Sequence, residues 1–395
     1  MKDFPQVAVI TAGKDKHYST GLAGALLAAG VAFDFIGSDE VDAPELHGSP
    51  QVNFFNLRGD QSVNAGLFKK MTRVLAYYFR LLRYTATARP KIFHILWNNK
   101  FEAFDRTLLM LYYRLLGKRV VFTAHNVNAG ARDASDSPLN RLTLKIQYRL
   151  CAHIFVHTQK MKDELVNEYG VAPEKISVIP LGFYSNVPNT ALTPAAAKQQ
   201  LGLQPDEKAV LFFGNIAPYK GVEYLVTAFA ELARRDASCR LIIAGRPKGP
   251  PEYWAQIQQQ IAASGVQHRI TQNIGYIADE EIEVYFKGGD VLVQPYTHIF
   301  QSGVLILGFS FGIPVIAADV GSLREDVLEG KTGFVFPPRN ATALELVLEK
   351  FFAGDLYRNL GQRRREIRAH ADDQYSWSKV ARITTEVYAS LLKIK

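Results

Sequence analysis

Short apolar runs and longer amphipathic stretches alternate along the chain. In the first half, Val7–Thr11, Phe33–Gly37, Val52–Asn56, Ile92–Trp97, Val120–Thr123, His153–His157 and Ile176–Ile179 have the length and composition of strands. Between them, Leu22–Ala29, Leu67–Tyr84, Phe104–Leu116, Leu139–Leu150 and Met161–Tyr169 repeat apolar residues at helical spacing. The second half repeats the alternation. Its strands are Val210–Phe213, Arg240–Ala244, Ile270–Tyr276, Val291–Pro295 and Pro314–Ala317. Its helices are Glu223–Arg235, Tyr253–Ala263, Asp279–Phe286, Val304–Phe311 and Ala341–Phe352. Alternation of this kind predicts βαβ units and parallel sheets buried on both faces. The expected fold class is α/β with two Rossmann-like domains facing each other across a cleft. Residues 1–183 form the first, 184–207 a polar linker with one short helix, 208–375 the second, and 376–395 an amphipathic C-terminal helix. Ligands in such folds sit at the C-terminal strand ends.

Two of those strand ends carry candidate chemistry. Gly214 ends the run Val210–Phe213, and helical spacing resumes at Val222, Tyr224, Leu225, Ala228, Phe229 and Leu232. A helix N-terminus offers free backbone N–H groups and the positive end of the helix dipole, which together attract anions. Lys220 adds a mobile cation there; read alone, it is equally a solvated first-turn lysine. Pro295–Gly303 repeats the arrangement, with Ser302 and Gly303 small enough for a phosphate to approach the backbone. The chain then continues through Gly312-Ile313-Pro314-Val315-Ile316-Ala317 to Gly321-Ser322-Leu323-Arg324-Glu325. Over these stretches it resembles the C-terminal domain of retaining GT-B glycosyltransferases, the large family four, which carry a G-R-x-x-x-x-K-G-type loop and a G-x-P-V-[IV]-A…G-G-x-x-E segment.

The resemblance covers essentially the whole chain. It implies a terminal helix that crosses back to the first domain. It also implies retaining, metal-independent transfer of a hexose from a nucleotide-diphosphate sugar to a hydroxyl of a glycan or lipid-linked acceptor, in polysaccharide or glycolipid assembly. Lys220, the Gly214 backbone and Gln301-Ser302-Gly303 would bind the diphosphate, with Tyr219 and Tyr276 in the same donor pocket. Asn215 stands where the family usually has arginine, and Arg246 at the end of the next strand is a candidate replacement. His298 would meet a sugar hydroxyl or the diphosphate, and Glu325 matches the family's acidic residue, with a helix-cap role as the alternative. His125, in Phe122-Thr123-Ala124-His125-Asn126-Val127, matches the histidine near the reacting centre, where it would orient and stabilise rather than act as a base. Thr20-Gly21, before the first predicted helix, would approach the phosphates or the acceptor. The family's paired carboxylates, spaced E-x7-E, fall here on Ile299 and Leu307. A sub-group with P-Y-x-x-x-x-Q-S-G in this place matches at Pro295, Tyr296, Gln301, Ser302 and Gly303. The missing carboxylates and Asn215 keep open a non-catalytic GT-B binding or scaffold protein; the other alternative, a GT-B sugar-nucleotide epimerase, would need acid/base carboxylates in the cleft, and none is placed there. No cofactor is expected, and with scattered histidines and no D-x-D pair no metal is expected.

Composition changes the picture in one respect. The chain of 395 residues carries a formal charge of +8, and Met1–Tyr184 holds 23 Lys+Arg against 16 Asp+Glu. Within 61–119 there are 12 basic residues, with only Glu102 and Asp105 opposing them. Basic and aromatic residues interleave along Leu67–Tyr84 and again along Arg106–Arg119. That is the composition of interfacial helices, or of ordinary core helices with a solvated basic face. A partner membrane of anionic surface follows as an expectation through 67–119; nucleic acid does not, since no recognition module is evident. No apolar run of 18 residues is present, the N-terminus leads into a strand rather than a signal peptide, and Cys151 and Cys239 fall in different domains. A reducing cytoplasm, with the protein peripheral on the inner face of the membrane, is the expected location.

Overall fold

The computed structural model describes residues 5–13, 15–61, 66–132, 136–182 and 187–393. It divides into two compact units, one of Met1–Tyr184 with Tyr375–Lys395 and one of Ser185–Gln374. The first is organised on seven parallel strands: β1 Val7–Ile10, β2 Phe33–Gly37, β3 Val52–Asn56, β4 Ile92–Ile95, β5 Arg119–Thr123, β6 His153–Val156 and β7 Ile176–Val178. Their order is β3-β2-β1-β4-β5-β6-β7, so β1 has β2 on one side and β4 on the other. The second unit has six parallel strands: β8 Lys208–Phe213, β9 Cys239–Gly245, β10 Ile270–Ile274, β11 Val291–Gln294, β12 Val315–Ala318 and β13 Gly333–Phe336. Their order is β10-β9-β8-β11-β12-β13. Val9, Val210, Leu211 and Phe212 are wholly buried. Helices cover both faces of each sheet, which is why these strands read as unbroken apolar runs. In both sheets the strand order reverses beside the first strand, at β1/β4 and at β8/β11. Such switch points open a crevice beyond the strand ends.

Several elements differ from the sequence pattern. The first helix runs Lys16–Ala28 rather than from Leu22, because the Asp15 side chain accepts from the Tyr18 amide at 3.1 Å and caps it. Thr20 and Gly21 therefore lie inside a helix and not in a loop before it. Thr20 Oγ1 donates to the Lys16 carbonyl of its own helix at 2.8 Å. Gly21 makes room for an indole: a Cβ there would lie 2.2 Å from Trp377 Cζ2, and one on Gly182 would lie 2.4 Å from Trp377 Cε2. Trp377 opens the C-terminal helix Trp377–Lys393, whose Val380, Tyr388 and Leu391 join Val9 and Leu22 in the first unit's core. β13 was not legible, because Gly333–Phe336 is four residues long with charged neighbours. The helix Leu360–Tyr375 escaped for the opposite reason: it is dominated by polar and charged residues.

The stretch read as a linker is, from 187 onward, part of the second unit. Its helix Pro194–Gln200 carries Lys198, whose ammonium is buried against Asp290 at 2.8 Å. The same ammonium donates to the Glu207 carbonyl at 2.6 Å, and Asp290 accepts from the Ala209 amide at 2.9 Å, at the start of β8. Thr190 bonds the Glu283 carboxylate through its amide at 2.8 Å, and Lys287 donates to the Thr190 carbonyl at 2.6 Å. Removing one member of a buried pair leaves the other charge uncompensated, at a cost of about 3–5 kcal/mol. Asp290→Ala is therefore expected to lose about 3–5 kcal/mol of stability in urea unfolding; an unchanged midpoint would show that this pair does not hold the segment.

His94, on β4, is wholly buried. Its Nδ1 meets Tyr388 Oη at 2.5 Å and its Nε2 meets Thr123 Oγ1 at 2.7 Å, so the C-terminal helix is tied to two strands. Burial, with a smaller contribution from the charge of His153, holds its pKa down to about 3. The unfolded chain, with an ordinary histidine near 6.5, then takes up a proton that the folded chain refuses. The stabilisation is complete above pH 6.5 and is lost as pH falls toward 3. Unfolding free energy is expected to drop by about 1.4 kcal/mol for each pH unit below 6.5 from this residue, and a urea series from pH 7 to 5 should show a flatter profile in His94→Gln.

Candidate active site

The two candidate loops of the second unit leave β8 and β11, the strands that flank its switch point. β8 ends hard against β9: Gly214 N donates to the Ala244 carbonyl at 2.9 Å, and a Cβ on Gly245 (φ 141°) would lie 1.8 Å from the Gly214 carbonyl oxygen. Asn215 follows, half-buried. The Ile216 amide donates to the Arg246 carbonyl at 2.9 Å, and Lys248 donates back to Ile216 at 2.8 Å. Arg246 is thus pinned by its backbone beside Asn215, with its guanidinium exposed. Tyr276 is also exposed, one residue beyond Gly275, whose amide bonds the Gly245 carbonyl at 3.0 Å.

Lys220 does not sit in the first turn of a helix. It closes a 3-10 turn, Pro218–Lys220, and Gly221 (φ 63°) then turns the chain into the helix Val222–Arg235. Only glycine fits there, since a Cβ would lie 2.1 Å from the Pro295 carbonyl oxygen. The close approach brings in the second loop. The Thr297 amide donates to the Tyr219 carbonyl at 2.9 Å, and beyond it the Ser322 amide and hydroxyl both donate to the Phe300 carbonyl at 2.9 Å. The loop after β11 is therefore stitched at both ends. Lys220 is buried, with its ammonium 3.7 Å from the centre of the Tyr296 ring and 5.3 Å from that of Tyr219. A cation over two aromatic faces is held in place by them.

The rest of the loop has a clear division. His298 is exposed, with its ring 6.0 Å from that of Phe300. Ser302 is buried and caps the helix Gly303–Ser310, its side chain accepting from the Leu305 amide at 3.4 Å. Leu307 is packed in the core on that helix, and Ile299 is half-buried. Glu325 is exposed inside the short helix Leu323–Asp326 rather than capping it. Sequence reasoning missed Gln294, the last residue of β11. It is wholly buried, and neither end of its amide finds a hydrogen-bond partner among the described residues; nor do Tyr296 Oη and Gln301 Oε1. Each such group costs about 1–3 kcal/mol unless something satisfies it, so the cluster marks where a ligand or water supplies partners. The available signal was a glutamine closing an otherwise apolar strand.

In the first unit, His125 follows β5. Its ring stacks on Trp97 at 4.4 Å and 7°, and Tyr18 meets it edge-on at 4.5 Å. His157 Nδ1 lies 3.2 Å from the Ile179 carbonyl, and its Nε2 lies 3.0 Å from His125 Nδ1. A carbonyl only accepts, so Nδ1 of His157 carries the proton and its Nε2 accepts from His125 Nδ1. That leaves His125 Nε2 as a bare lone pair, and among the described residues it has no partner. Burial, and then the charges of His157 and His94, push the His125 pKa well below its ordinary value. Burial likewise lowers His157 to about 4. Both rings are neutral at pH 7, so His125 offers an acceptor and not a positive charge. Thr20 and Gly21 contribute helix packing, as described above.

Residues 17–184 match the family model described as Glycosyltransferase Family 4, and residues 195–367 match Glycosyl transferases group 1. The D-inositol 3-phosphate glycosyltransferase of Streptomyces bingchenggensis is 30% identical over 252 residues, covering 61% of this chain and 53% of that protein. The chain thus spans about half the length of that curated relative. Among solved structures, sucrose-phosphate synthase from Thermosynechococcus elongatus has a TM-score of 0.75 at 21% identity, over 99% of this chain and 100% of that one. Anabaena Alr3699/HepE, solved in complex with UDP, has a TM-score of 0.75 at 17% identity, over 98% and 100%. At these identities the structures speak to the fold alone, and they agree with the two parallel sheets seen here. The chain belongs to the GT-B glycosyltransferases, as a family 4 domain followed by a group 1 domain.

Proposed function

We propose that the chain is a retaining glycosyltransferase that moves a sugar from a nucleotide-diphosphate sugar to a hydroxyl of a glycan or lipid-linked acceptor. The observation that carries this is the pair of stitched loops beyond β8 and β11, with a buried ammonium between two aromatic rings and unsatisfied polar groups at the strand end. The Anabaena neighbour's bound UDP supports a nucleotide donor. As the sugar leaves, charge grows on the diphosphate. Lys220, Arg246 and the backbone amides at the start of the helix Gly303–Ser310 are assigned to that charge, in place of a metal ion. Asn215 supplies a neutral donor where charge is usual. His125 Nε2 accepts from a hydroxyl of the bound sugar and fixes its pose. The acceptor attacks the face that the diphosphate leaves, and a phosphate oxygen takes the acceptor proton, so no protein nucleophile is used. Tyr276, beyond β10, and His298, within the loop after β11, are assigned the remaining donor contacts.

The membrane reading belongs here too. The basic region divides cleanly. Tyr77, Tyr78 and Leu81 are core, whereas Phe68, Met71, Leu75 and Phe79 form an exposed stripe along the helix Leu67–Thr87. Leu108, Leu111 and Leu115 are exposed as well, Leu115 at 77%. Lys69, Arg80, Arg83 and Arg114 are exposed beside these stripes. Apolar side chains flanked by cations fit an anionic bilayer surface, where a lipid-linked acceptor would reside. Among the described residues no helix is long and apolar enough to cross a membrane.

Two outcomes are expected. With a panel of UDP- and GDP-sugars, the wild-type chain should release nucleoside diphosphate, and Lys220→Ala should lower kcat/KM by about 100- to 1,000-fold with its melting temperature unchanged. Nucleotide binding without any turnover would favour the non-catalytic alternative. In co-sedimentation at low salt, the chain should pellet with phosphatidylglycerol-containing vesicles, and Phe68→Ser combined with Phe79→Ser should release it. Absence of binding to such vesicles would remove the membrane part of the reading and leave the transfer part standing.

A further inference from the structure

We propose that the first unit carries its own anion site, shaped for the phosphate group of a phosphate ester, in the cavity between the helix Leu67–Thr87 and the loops leaving β3 and β4. The cavity holds about 290 Å³, close to the lower end of about 300 Å³ for small-ligand sites. Arg58, Lys70, Arg73 and Lys100 line it, and Asp60 is the carboxylate among its lining residues. Asp60 accepts from Arg73 at 2.8 Å, so that pair is close to neutral. Arg58 is fixed by donating to the Ala12 carbonyl and, at 3.2 Å, to Asn99 Oδ1, with its guanidinium 5.2 Å from the centre of the Tyr77 ring. Among the described residues the ammonium groups of Lys70 and Lys100 have no hydrogen bond or ion pair. Three cations are left for one ligand. Behind them Asp105 is buried, accepting from Tyr78 Oη at 2.9 Å and the Asn99 amide at 2.6 Å.

A separate observation points to a ligand. Tyr77 lines the cavity and is 3% exposed, and its phenol oxygen makes no hydrogen bond of full geometry among the described residues, with the Asn99 side chain and the Arg58 charge beside it. A guanidinium, two ammonium groups and a phenol are all donors. A phosphate group brings several acceptor oxygens pointing in different directions, together with charge near −2, and matches such a set better than a carboxylate does. The site lies at the C-terminal ends of β3 and β4, and β4 flanks this unit's switch point. As an acceptor site it rests on the transfer reading and specifies a phosphate-bearing acceptor; as an anion site it stands apart from it. The same helix presents the apolar stripe of Phe68, Met71, Leu75 and Phe79, so the phosphate can belong to a soluble ester or to a lipid headgroup.

Titration calorimetry of inorganic phosphate at low salt tests this on the full chain, carried out in a Lys220→Ala background so that the second unit's loops contribute little. Binding is expected there. Adding Lys70→Ala with Lys100→Ala should weaken it by about tenfold or more, and adding Tyr77→Phe should weaken it severalfold, with the melting temperature of each variant kept. No binding in the Lys220→Ala background, or the same affinity after loss of both lysines, would overturn the site. Phosphatidic acid vesicles that compete with inorganic phosphate would identify a lipid headgroup as the source, and vesicles that do not compete would identify a soluble ester. A chain that binds phosphate in this way yet turns over no nucleotide sugar would retain the anion site and lose the transfer reading.

Discussion

Backbone crowding at the ends of two adjacent parallel strands is the constraint on which the second unit's site depends. β8 and β11 stop where the strand order reverses, and the chain must leave both without its exits colliding. Glycine at 221 lets the first loop pass within contact of the Pro295 carbonyl, and glycine at 245 lets β9 close on Gly214. Because the loops touch, they can bond to each other, and Thr297 donates to Tyr219 across the junction. Two irregular segments thereby become one rigid surface. A loop of this kind keeps its amides in place before a ligand arrives, which is the condition for stabilising charge that develops only during reaction.

The placement of Lys220 follows from the same crowding. A lysine on an open first turn would be hydrated and mobile. Here the turn carries its stem inward, and the ammonium settles over the Tyr296 ring. Aromatic faces compensate part of the hydration that the buried cation loses. Gln294 and Tyr296, buried with polar atoms unsatisfied, are the opposite kind of commitment. They weaken the empty fold and leave hydrogen-bonding capacity at the strand end.

The first unit solves a different problem. Its histidines sit among aromatic rings and one another, so desolvation keeps them neutral. The carbonyl of Ile179 sets the tautomer of His157, which sets that of His125 and leaves one defined lone pair. The C-terminal helix belongs to this packing, since Trp377 fills the space left by Gly21 and Gly182 and Tyr388 meets His94. Chain ends far apart in sequence thus share one core.

Hydrophobic periodicity was sufficient for the class of fold, because a parallel strand covered on both faces must be apolar throughout and its partner helices must be amphipathic. It also located the loops at Gly214–Gly221 and Pro295–Gly303, since strand end, small residues and helix start are all local signals. It missed β13 and the helix Leu360–Tyr375, where four residues or a polar surface carry too little pattern. Thr20 and Gly21 read as a loop, because an aspartate cap one turn earlier is decided by a single side-chain hydrogen bond. What lay beyond the sequence was everything set by contact between distant segments: the burial of Lys220, the unsatisfied amide of Gln294, the tautomer of His125, and the split of the basic region into core, cavity and exposed stripe. Periodicity records which side of an element avoids water, whereas a site is made by which elements meet, and only the packed chain settles that.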